Sequence, residues 1–346
     1  FSGDIYQRKT TDMFTVGMSL PAVFGTDVPK GNYADLTTKG FELSVSWRDQ
    51  FQLASKPFNY EVRFTLADYQ STIDKYNNPE KKLGDDYYYE GMKVGEIWGY
   101  ETEGFFTSQA DIDSHAKQPY FYAGATAGQW LPGDIKFKDL NGDGVIDYGN
   151  NTVDNPGDQK IIGNSEPRFI YGINLSGDWN NFFVSAFFQG VGKQDWWPGS
   201  EASYFWGMYN RPYNDMPKSH LGNIWTEENP NTYFPRLRGY SSEEPYAELN
   251  LKQTRYLQNI AYIRMKNIQL GYTLPKSFIS KLRMQNAKVY VSGENLWSWS
   301  PFYKYSKDLD VEAVRGSDRD LTEGTSGNGY SYPILKSVSF GLSVTF

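Results

Sequence analysis

The chain has 346 residues, which is long enough for one large β-domain or for two domains of ordinary size. It contains no cysteine, so a disulfide framework and thiolate metal sites are excluded. Its formal net charge is −7 with no long basic run, so a nucleic-acid partner is not expected. No stretch of about 18 consecutive apolar residues occurs, which excludes a transmembrane helix.

Aromatic residues make up 17% of the chain, and many of them lie in segments where apolar and polar residues alternate. Successive side chains of a β-strand point to opposite faces, so this alternation predicts strands with one apolar face. In chain order the candidate strands are residues 3–9, 41–48, 58–66, 168–176, 182–188, 267–274, 288–292 and 334–346.

The last candidate strand, residues 334–346, bears most directly on the fold class. It is longer than the usual strand of about five or six residues, and it is long enough to cross a bilayer, which takes about 9–11 residues of a tilted strand. Alternation alone fits a soluble sandwich strand and a transmembrane barrel strand equally well. However, several candidate strands carry Glu, Arg or Lys on the second face, which a wet lumen accepts and a sandwich core does not.

The connections between the candidate strands alternate in length. Short links occupy residues 49–57, 177–180 and 275–286, whereas about a hundred residues follow the third strand and long links occupy 192–259 and 296–333. The first link is intermediate, at about 25–30 residues. Outer-membrane barrels have short periplasmic turns and longer extracellular loops. The sequence therefore predicts an all-β, antiparallel transmembrane barrel wall with its long loops outside the cell. The residues predicted to face lipid are Phe41, Val45, Phe64, Ile173, Val184, Leu270, Val291 and Leu342.

One motif in the longest connection matches the beginning of a calcium-binding loop. In the segment 139–147, oxygen ligands fall at positions 1, 3, 5 and 9 and glycine at position 6. Position 12 is Asn150 instead of the usual glutamate, so Asp154 or Asp158 has to supply the missing ligand, and the Pro156-Gly157 turn favours Asp158. The alternative is an Asx/Gly turn without metal. The expected ligands of a structural Ca²⁺ ion are Asp139, Asn141, Asp143, the carbonyl of Val145, Asp147 and Asp158.

A second candidate site is the aromatic cluster in the connection that follows the fifth strand. Trp196, Trp197 and Trp206 are the predicted contacts for a substrate or a partner, because aromatic side chains are enriched at interfaces. The alternative is that these side chains pack the loop itself. No catalytic constellation accompanies them, since neither His115 nor His220 lies in a ligand-spaced cluster. An enzyme is therefore not expected.

Six motifs spread along the chain point to one family. They are VGEIWGY at 94–100, GDIKFKDLNGDG at 133–144, PGDQKIIGN at 156–164, PRFIYG at 167–172, YIRMKNIQLGY at 262–272 and VSGENL at 291–296. With these motifs the chain resembles the SusC-like TonB-dependent transporters of Bacteroidetes. Members of that family have an N-terminal plug and a barrel of 22 strands. The resemblance implies that residues 1–346 form the C-terminal part of such a barrel, about eight strands, with no plug domain.

The same resemblance implies a function in the outer membrane. It implies import of glycan oligosaccharides or of peptides together with a SusD-like surface lipoprotein. Energy would come from TonB-ExbB-ExbD through the absent N-terminal part, and the wall would contact membrane lipid and lipopolysaccharide. An alternative from another class is a soluble, calcium-dependent, carbohydrate-binding β-sandwich module, which the calcium motif and the aromatic cluster would also suit.

Overall fold

A computed structural model describes residues 1–16, 25, 28–85, 87–118, 130–200, 202–211, 213–238, 242–243, 247–314 and 332–346. In these residues the strands β1 to β14 are, in chain order, Ser2–Val16, Lys30–Leu53, Lys56–Lys75, Glu96–Tyr100, Thr102–Phe105, Ile135–Phe137, Gln159–Asn164, Arg168–Trp179, Phe182–Lys193, Asp195–Trp196, Gln258–Asn259, Tyr262–Thr273, Asn286–Trp299 and Ser337–Thr345. Helices α1 to α3 are Gln109–Ser114, Ser203–Trp206 and Lys276–Ile279. Short 3₁₀ helices are Gly207–Tyr209, Lys218–His220, Ser280–Leu282 and Pro301–Lys304.

One antiparallel sheet of eight strands dominates the fold, in the order β1-β2-β3-β8-β9-β12-β13-β14. Each strand pairs with the next large strand along the chain, so the sheet is a meander. All eight predicted strands are present. The described residues contain no second large sheet, since the other three sheets have two strands each. A β-sandwich requires two sheets packed face to face, so the sandwich alternative is wrong.

The strands are longer than their apolar alternation predicted. β2 has 24 residues and β3 has 20. As a result, the first connection covers only residues 17–29 and is shorter than expected. The alternation of short and long connections is confirmed, although 119–129 and 315–331, which belong to two of the long ones, lie outside the described residues.

Strand register places the predicted apolar residues on one face of the sheet. Val45 pairs with Phe64, and Phe64 pairs with Ile173, so their side chains point the same way. The remaining members share that face through the same register: Phe41, Val184, Leu270, Val291 and Leu342. Their common face is confirmed, and their contact with lipid stays a prediction.

The short connections lie together at one end of the sheet. Two of them are two-residue turns in which both residues have positive φ, namely +47° and +60° at Ala54-Ser55 and +47° and +71° at Asn180-Asn181. This backbone is that of a type I′ turn, which suits the twist of a tight hairpin. The third short connection contains α3. The opposite end of the sheet therefore carries the long connections.

The hydrophobic core lies mainly in those long connections, with a few residues from the adjoining ends of the strands, such as Val191 and Tyr262. Phe137 comes from the first long connection, Trp196 from the second and Phe302 from the third, and all three belong to one buried cluster. In the half of the sheet nearest the short connections, almost all residues are exposed or half-buried and very few are buried. In the described part of the chain, no helix is both long enough and apolar enough to cross a membrane.

Candidate functional site: the layer of long connections

The predicted aromatic contacts lie inside the layer of long connections. The side chains of Trp196, Trp197 and Trp206 are 2%, 5% and 0% exposed. The Trp206 indole packs edge-on against Trp197 at 6.2 Å between ring centroids, and its Nε1 donates to the carbonyl of Gly199 at 3.0 Å. Trp196 packs edge-on against Phe302 at 5.8 Å, which joins the second long connection to the third.

This burial agrees with the alternative that the three tryptophans pack the loop itself, and their contact with a substrate or partner stays a prediction. In the structure the three tryptophans pack inside the layer of long connections. Burying large aromatic side chains away from water contributes strongly to the stability of such a layer. Any direct contact of Trp196, Trp197 or Trp206 with a substrate or partner would require the layer to open. The apolar residues that the layer does expose are others, and the sequence pattern alone gave no means of telling the two groups apart.

The calcium-like segment forms a compact loop in which carboxylates accept backbone N–H groups. Asp139 accepts from Gly142 N at 2.6 Å through Oδ1 and from Gly144 N at 2.9 Å through Oδ2. Asp143 accepts from Val145 N at 2.8 Å through Oδ1 and from the Asn141 side chain at 2.9 Å through Oδ2. A carboxylate has about four acceptor sites, so each of the two aspartates keeps unused lone pairs.

A short backbone pairing holds the end of this loop. Ile146 is fully buried, and its N–H donates to the carbonyl of Lys117 at 2.7 Å. Lys117 N donates in turn to the carbonyl of Gly144 at 2.9 Å. The carbonyl of Val145, the predicted seventh-position ligand, takes no part in this pairing.

Asp158 returns to the loop as the Pro156-Gly157 turn predicts. Its Oδ1 accepts from Leu140 N at 2.6 Å, and its Oδ2 accepts from Asp147 N at 2.9 Å, so one carboxylate ties the two ends of the segment together. Gly157 has φ of +60°, and a Cβ at that position would lie 2.5 Å from the carbonyl oxygen of Asp147. Burial raises the pKa of Asp158, and the negative charge of Asp139 raises it further.

The chemistry of this donor set suits a hard cation, but its present arrangement is governed by hydrogen bonds. Among the described residues, no group of three or more His, Cys, Asp or Glu side chains is arranged to hold a metal ion. Asp147 also accepts from Gly149 N at 2.7 Å through Oδ1. Calcium binding by Asp139, Asn141, Asp143, Val145, Asp147 and Asp158 therefore stays a prediction.

Two further charged clusters hold the layer together, and sequence reasoning missed both. In the first, Asp134 is fully buried and forms ion pairs with Arg236, at 3.2 Å, and with Arg238. Glu248 lies beside this group and accepts from Ile135 N at 2.8 Å through Oε2. Burial, together with the charge of Asp134, raises the pKa of Glu248 to about 8.

In the second cluster a strand residue holds the third long connection. Arg264, on the polar face of β12, forms ion pairs with Asp310 at 2.5 Å and with Glu312 at 3.1 Å. Lys266 also pairs with Glu312. A bulge between Met265 and Asn267 puts Arg264 on the polar face, although strict alternation from Leu270 would put it on the apolar face. Nothing in the sequence indicates its partners, because they lie more than 40 residues further along the chain.

Comparison with known proteins shows what this architecture is similar to. No family model matches the chain. The TonB-dependent receptor P3 of Formosa agariphila is 26% identical over 363 residues, covering 100% of this chain and 32% of that receptor. The TonB-dependent receptor P26 of the same organism is 26% identical over 358 residues, covering 99% of this chain and 32% of its own length. The chain is homologous to TonB-dependent receptors.

The predicted resemblance is therefore confirmed at the level of the receptor class. These homologues are receptors and not enzymes, which agrees with the expectation for this chain. TonB-dependent receptors are outer-membrane proteins of Gram-negative bacteria. The chain spans about a third of the length of the curated relatives that it matches.

Solved structures support the same fold. The RagAB peptide importer in its 'closed-closed' state superposes with a TM-score of 0.66 at 19% sequence identity, covering 99% of this chain and 33% of that chain. A further structure of the RagAB peptide transporter gives a TM-score of 0.69 at the same identity and the same coverage. At this identity the similarity concerns the fold alone.

Proposed function

We propose that the chain is the C-terminal part of the barrel wall, and part of the extracellular mouth, of a TonB-dependent importer in the outer membrane. The observation that carries the proposal is the division of the molecule into two zones. One zone is a single antiparallel sheet with an apolar face and a polar face, and the other is a packed layer of long connections at one end. A transmembrane barrel has this organisation, with lipid outside, water inside and loops above the membrane.

Two features of the apolar face support the position of the membrane. A row of aromatic residues crosses five neighbouring strands near the short turns, and aromatic girdles mark membrane interfaces. Its members are Phe51, Phe58, Trp179, Phe182 and Tyr272. Further along β3, Asp68 forms ion pairs with Arg168 at 2.5 Å, so the apolar zone ends there.

The distance between these two features fits a membrane. The chain from Phe58 to Asp68 rises about 33 Å along the strand. With a strand tilt of about 40° this corresponds to roughly 25 Å across the membrane, which is the height of the apolar band of outer-membrane barrels. The remaining residues of β3 would then project above the membrane and carry the layer of long connections.

We further propose that the layer docks a SusD-like surface lipoprotein. Four apolar side chains of the second long connection are exposed close to one another in sequence, and interfaces are enriched in Tyr and Met. They are Tyr204, Tyr213, Met216 and Leu221. The structurally similar RagAB is a peptide importer. For the present chain, an oligosaccharide or an oligopeptide is proposed as cargo, with TonB-ExbB-ExbD as the energy source.

In this proposal a calcium ion orders the first long connection. Asp139, Asn141, Asp143, Asp147 and Asp158 and the Val145 carbonyl would hold it. Calcium suits the site better than magnesium because it accepts six to eight oxygen ligands in a flexible loop. Its role would be to fix the shape of the mouth, without a part in any chemical step.

The docking role can be tested in the full-length protein. The double variant Tyr213→Ser/Leu221→Ser should assemble in the outer membrane and lose co-purification of the lipoprotein, together with growth on the imported nutrient. Phe278→Ser is the matched control, because Phe278 is an exposed aromatic residue on α3, at the short-connection end of the sheet. If the double variant retains its lipoprotein and its uptake as the control does, the docking assignment is wrong.

A further inference from the structure

A cavity of about 280 Å³ opens between the second and third long connections. Its lining includes no residue of the calcium-like loop or of the buried charge clusters. Its lining combines aromatic, hydroxyl, amide and cationic side chains: Ser219, Asn223, Thr232, Tyr233, Phe234, Arg255, Lys304 and Tyr305. Asn223 and Lys304 are exposed, so the cavity is accessible from solvent.

The aromatic side of the cavity is rigid. Tyr233 and Tyr305 are stacked, with 4.1 Å between ring centroids and 17° between ring planes. The Tyr233 hydroxyl donates to the carbonyl of Arg255 at 3.1 Å and accepts from the side chain of Gln258 at 2.9 Å. A wall held in this way from both connections does not need to be ordered when a ligand binds, and preorganisation of this kind favours affinity.

The guanidinium of Arg255 is fixed beside this wall. Its Nε donates to the carbonyl of Tyr233 at 2.9 Å, and its Nη2 donates to the carbonyl of Thr232 at 2.6 Å. The ring of Phe105 lies 4.2 Å from its Cζ. Neutral carbonyls and a ring orient the guanidinium but do not neutralise it, so its full charge remains at the cavity.

Lys304 adds a second positive charge to the cavity lining. The Nζ atom of Lys304 is 5.2 Å from the ring centroid of Tyr305. Neither Lys304 nor Arg255 forms an ion pair within the described residues, and no Asp or Glu lines the cavity. This is unusual for a chain whose formal net charge is −7, so the cavity is a local positive site on an acidic protein.

The size of the cavity restricts what it can hold. Sites for whole drug-sized ligands occupy about 300–1,000 Å³, so this one suits a single terminal unit of a longer ligand. The two positive charges require that unit to carry a negative charge, and the aromatic wall favours one with an apolar or planar face. A carboxylate-bearing end meets both requirements, in the form of a uronate of an oligosaccharide or the free C-terminus of an oligopeptide.

We propose that Arg255 and Lys304 form a binding subsite for the carboxylate-bearing end of the imported ligand, against the Tyr233–Tyr305 wall. This inference rests on the proposed import function and specifies its substrate class. Lys304 contributes a mobile point charge at the entrance, and Arg255 contributes a fixed one inside. The subsite would therefore discriminate between charged and neutral ends of otherwise similar ligands.

The test measures ligand binding to the full-length protein by calorimetry at low ionic strength. The charged probes are digalacturonate and N-acetyl-tetra-alanine with a free carboxylate. The neutral counterparts are galactobiose and the C-terminal amide of the same peptide. At least one charged probe should bind tenfold or more tightly than its neutral counterpart, and its affinity should fall as salt is added. The probe that shows this difference identifies the source of the carboxylate.

Two variants test whether Lys304 causes the difference in affinity between the charged and the neutral probes. Lys304→Gln should reduce the affinity for the charged probe about tenfold and leave the neutral probe unchanged. Lys307→Gln is the matched control, because Lys307 is an exposed lysine three positions away that does not line the cavity. Lys304→Gln is preferred to a change at Arg255, since Arg255 also holds the loop backbone.

The proposal is overturned if charged and neutral probes bind alike, or if Lys304→Gln behaves as Lys307→Gln does. Nutrient uptake is measured in the same variants, so that failure of the subsite proposal can be distinguished from failure of the import proposal. Uptake that depends on the lipoprotein with no charge discrimination would remove the subsite and leave the import function standing. Loss of charge discrimination in Lys304→Gln alone would support the subsite.

Discussion

Arg264 on β12 donates a hydrogen bond from Nη2 to Oδ1 of Asp310 at 2.5 Å, although the two residues are 46 positions apart in the chain. The Arg264 side chain is only 4% exposed, and its Nε lies 3.1 Å from a carboxylate oxygen of Glu312. A side chain on the polar face of the sheet thus holds the last long connection. Because the pair is buried, each partner depends on the other for compensation of its charge.

We therefore expect Arg264→Gln to release the third long connection. Removing one member of a buried ion pair costs about 3–5 kcal/mol, because the remaining partner, here Asp310, stays buried without its counter-charge. Hydrogen exchange in residues 300–314 should show an opening free energy lower by about that amount. Arg48→Gln is the control, since the Arg48 side chain is 77% exposed and a solvent-exposed pair such as that with Glu61 contributes little to stability. Equal effects of the two variants would contradict this account.

The two faces of β12 should respond in opposite ways to a new charge. Leu270 lies on the apolar face opposite Val184 and Val291, and its neighbour Gln269 lies on the polar face. We expect Leu270→Arg to reduce assembly in the outer membrane, because an arginine on the lipid-facing side of a barrel strand is destabilising. Gln269→Arg should assemble as the wild type does. The measurement is the amount of folded protein in the outer-membrane fraction, and loss of both variants would argue against a lipid-facing Leu270.

The sequence was sufficient to predict the sheet but not the full length of its strands. Period-two alternation marks 41–48 and 58–66, where one face is apolar. The pairing continues through 30–40 and 67–75, where the alternation is lost and only backbone hydrogen bonds define the strand. Backbone groups leave no pattern in the side chains, so these extensions were not predictable.

The candidate sites show a similar limit. The return of Asp158 to the loop was predictable because a Pro-Gly turn acts locally. The pairing of Arg264 with Asp310 was not, because it depends on the path of a long connection. The burial of Trp206 was not predictable either, since an aromatic residue in a loop serves equally well for packing and for contact, and only tertiary structure decides between them.

Calcium should protect the first long connection from proteolysis. We expect millimolar Ca²⁺ to slow cleavage within 139–158 more than the same concentration of Mg²⁺, because the oxygen-rich loop suits the larger ion. Asp143→Asn should weaken Ca²⁺ binding at least tenfold, and it is preferred to Asp158→Asn because Asp158 also ties the loop ends together. Asp154→Asn is the control, since Asp154 is exposed nearby. Protection that is insensitive to Asp143→Asn, or equal for both ions, would argue for a metal-free turn.

The stability of the layer should depend on pH through Glu248. Burial, with the nearby charge of Asp134, raises the pKa of Glu248 from 4.5 to about 8, so the folded layer holds this proton more tightly than the unfolded chain does. The resulting stabilisation is fully present below pH 4.5 and is lost as the pH rises through about 8. The wild-type layer should therefore resist proteolysis better at pH 6 than at pH 9, because at pH 9 the buried carboxyl group has to ionise or the layer has to open.

Glu248→Gln should remove this dependence, because glutamine still accepts from Ile135 N and does not ionise. Glu101→Gln is the control, since Lys160 and Lys138 lower the pKa of the half-buried Glu101. The contribution of Glu101 to stability is therefore lost only at acidic pH. The Glu101 variant should therefore keep the wild-type loss of protection between pH 6 and pH 9. A Glu248→Gln layer that still weakens over that interval to the same extent would show that another group carries the pH dependence.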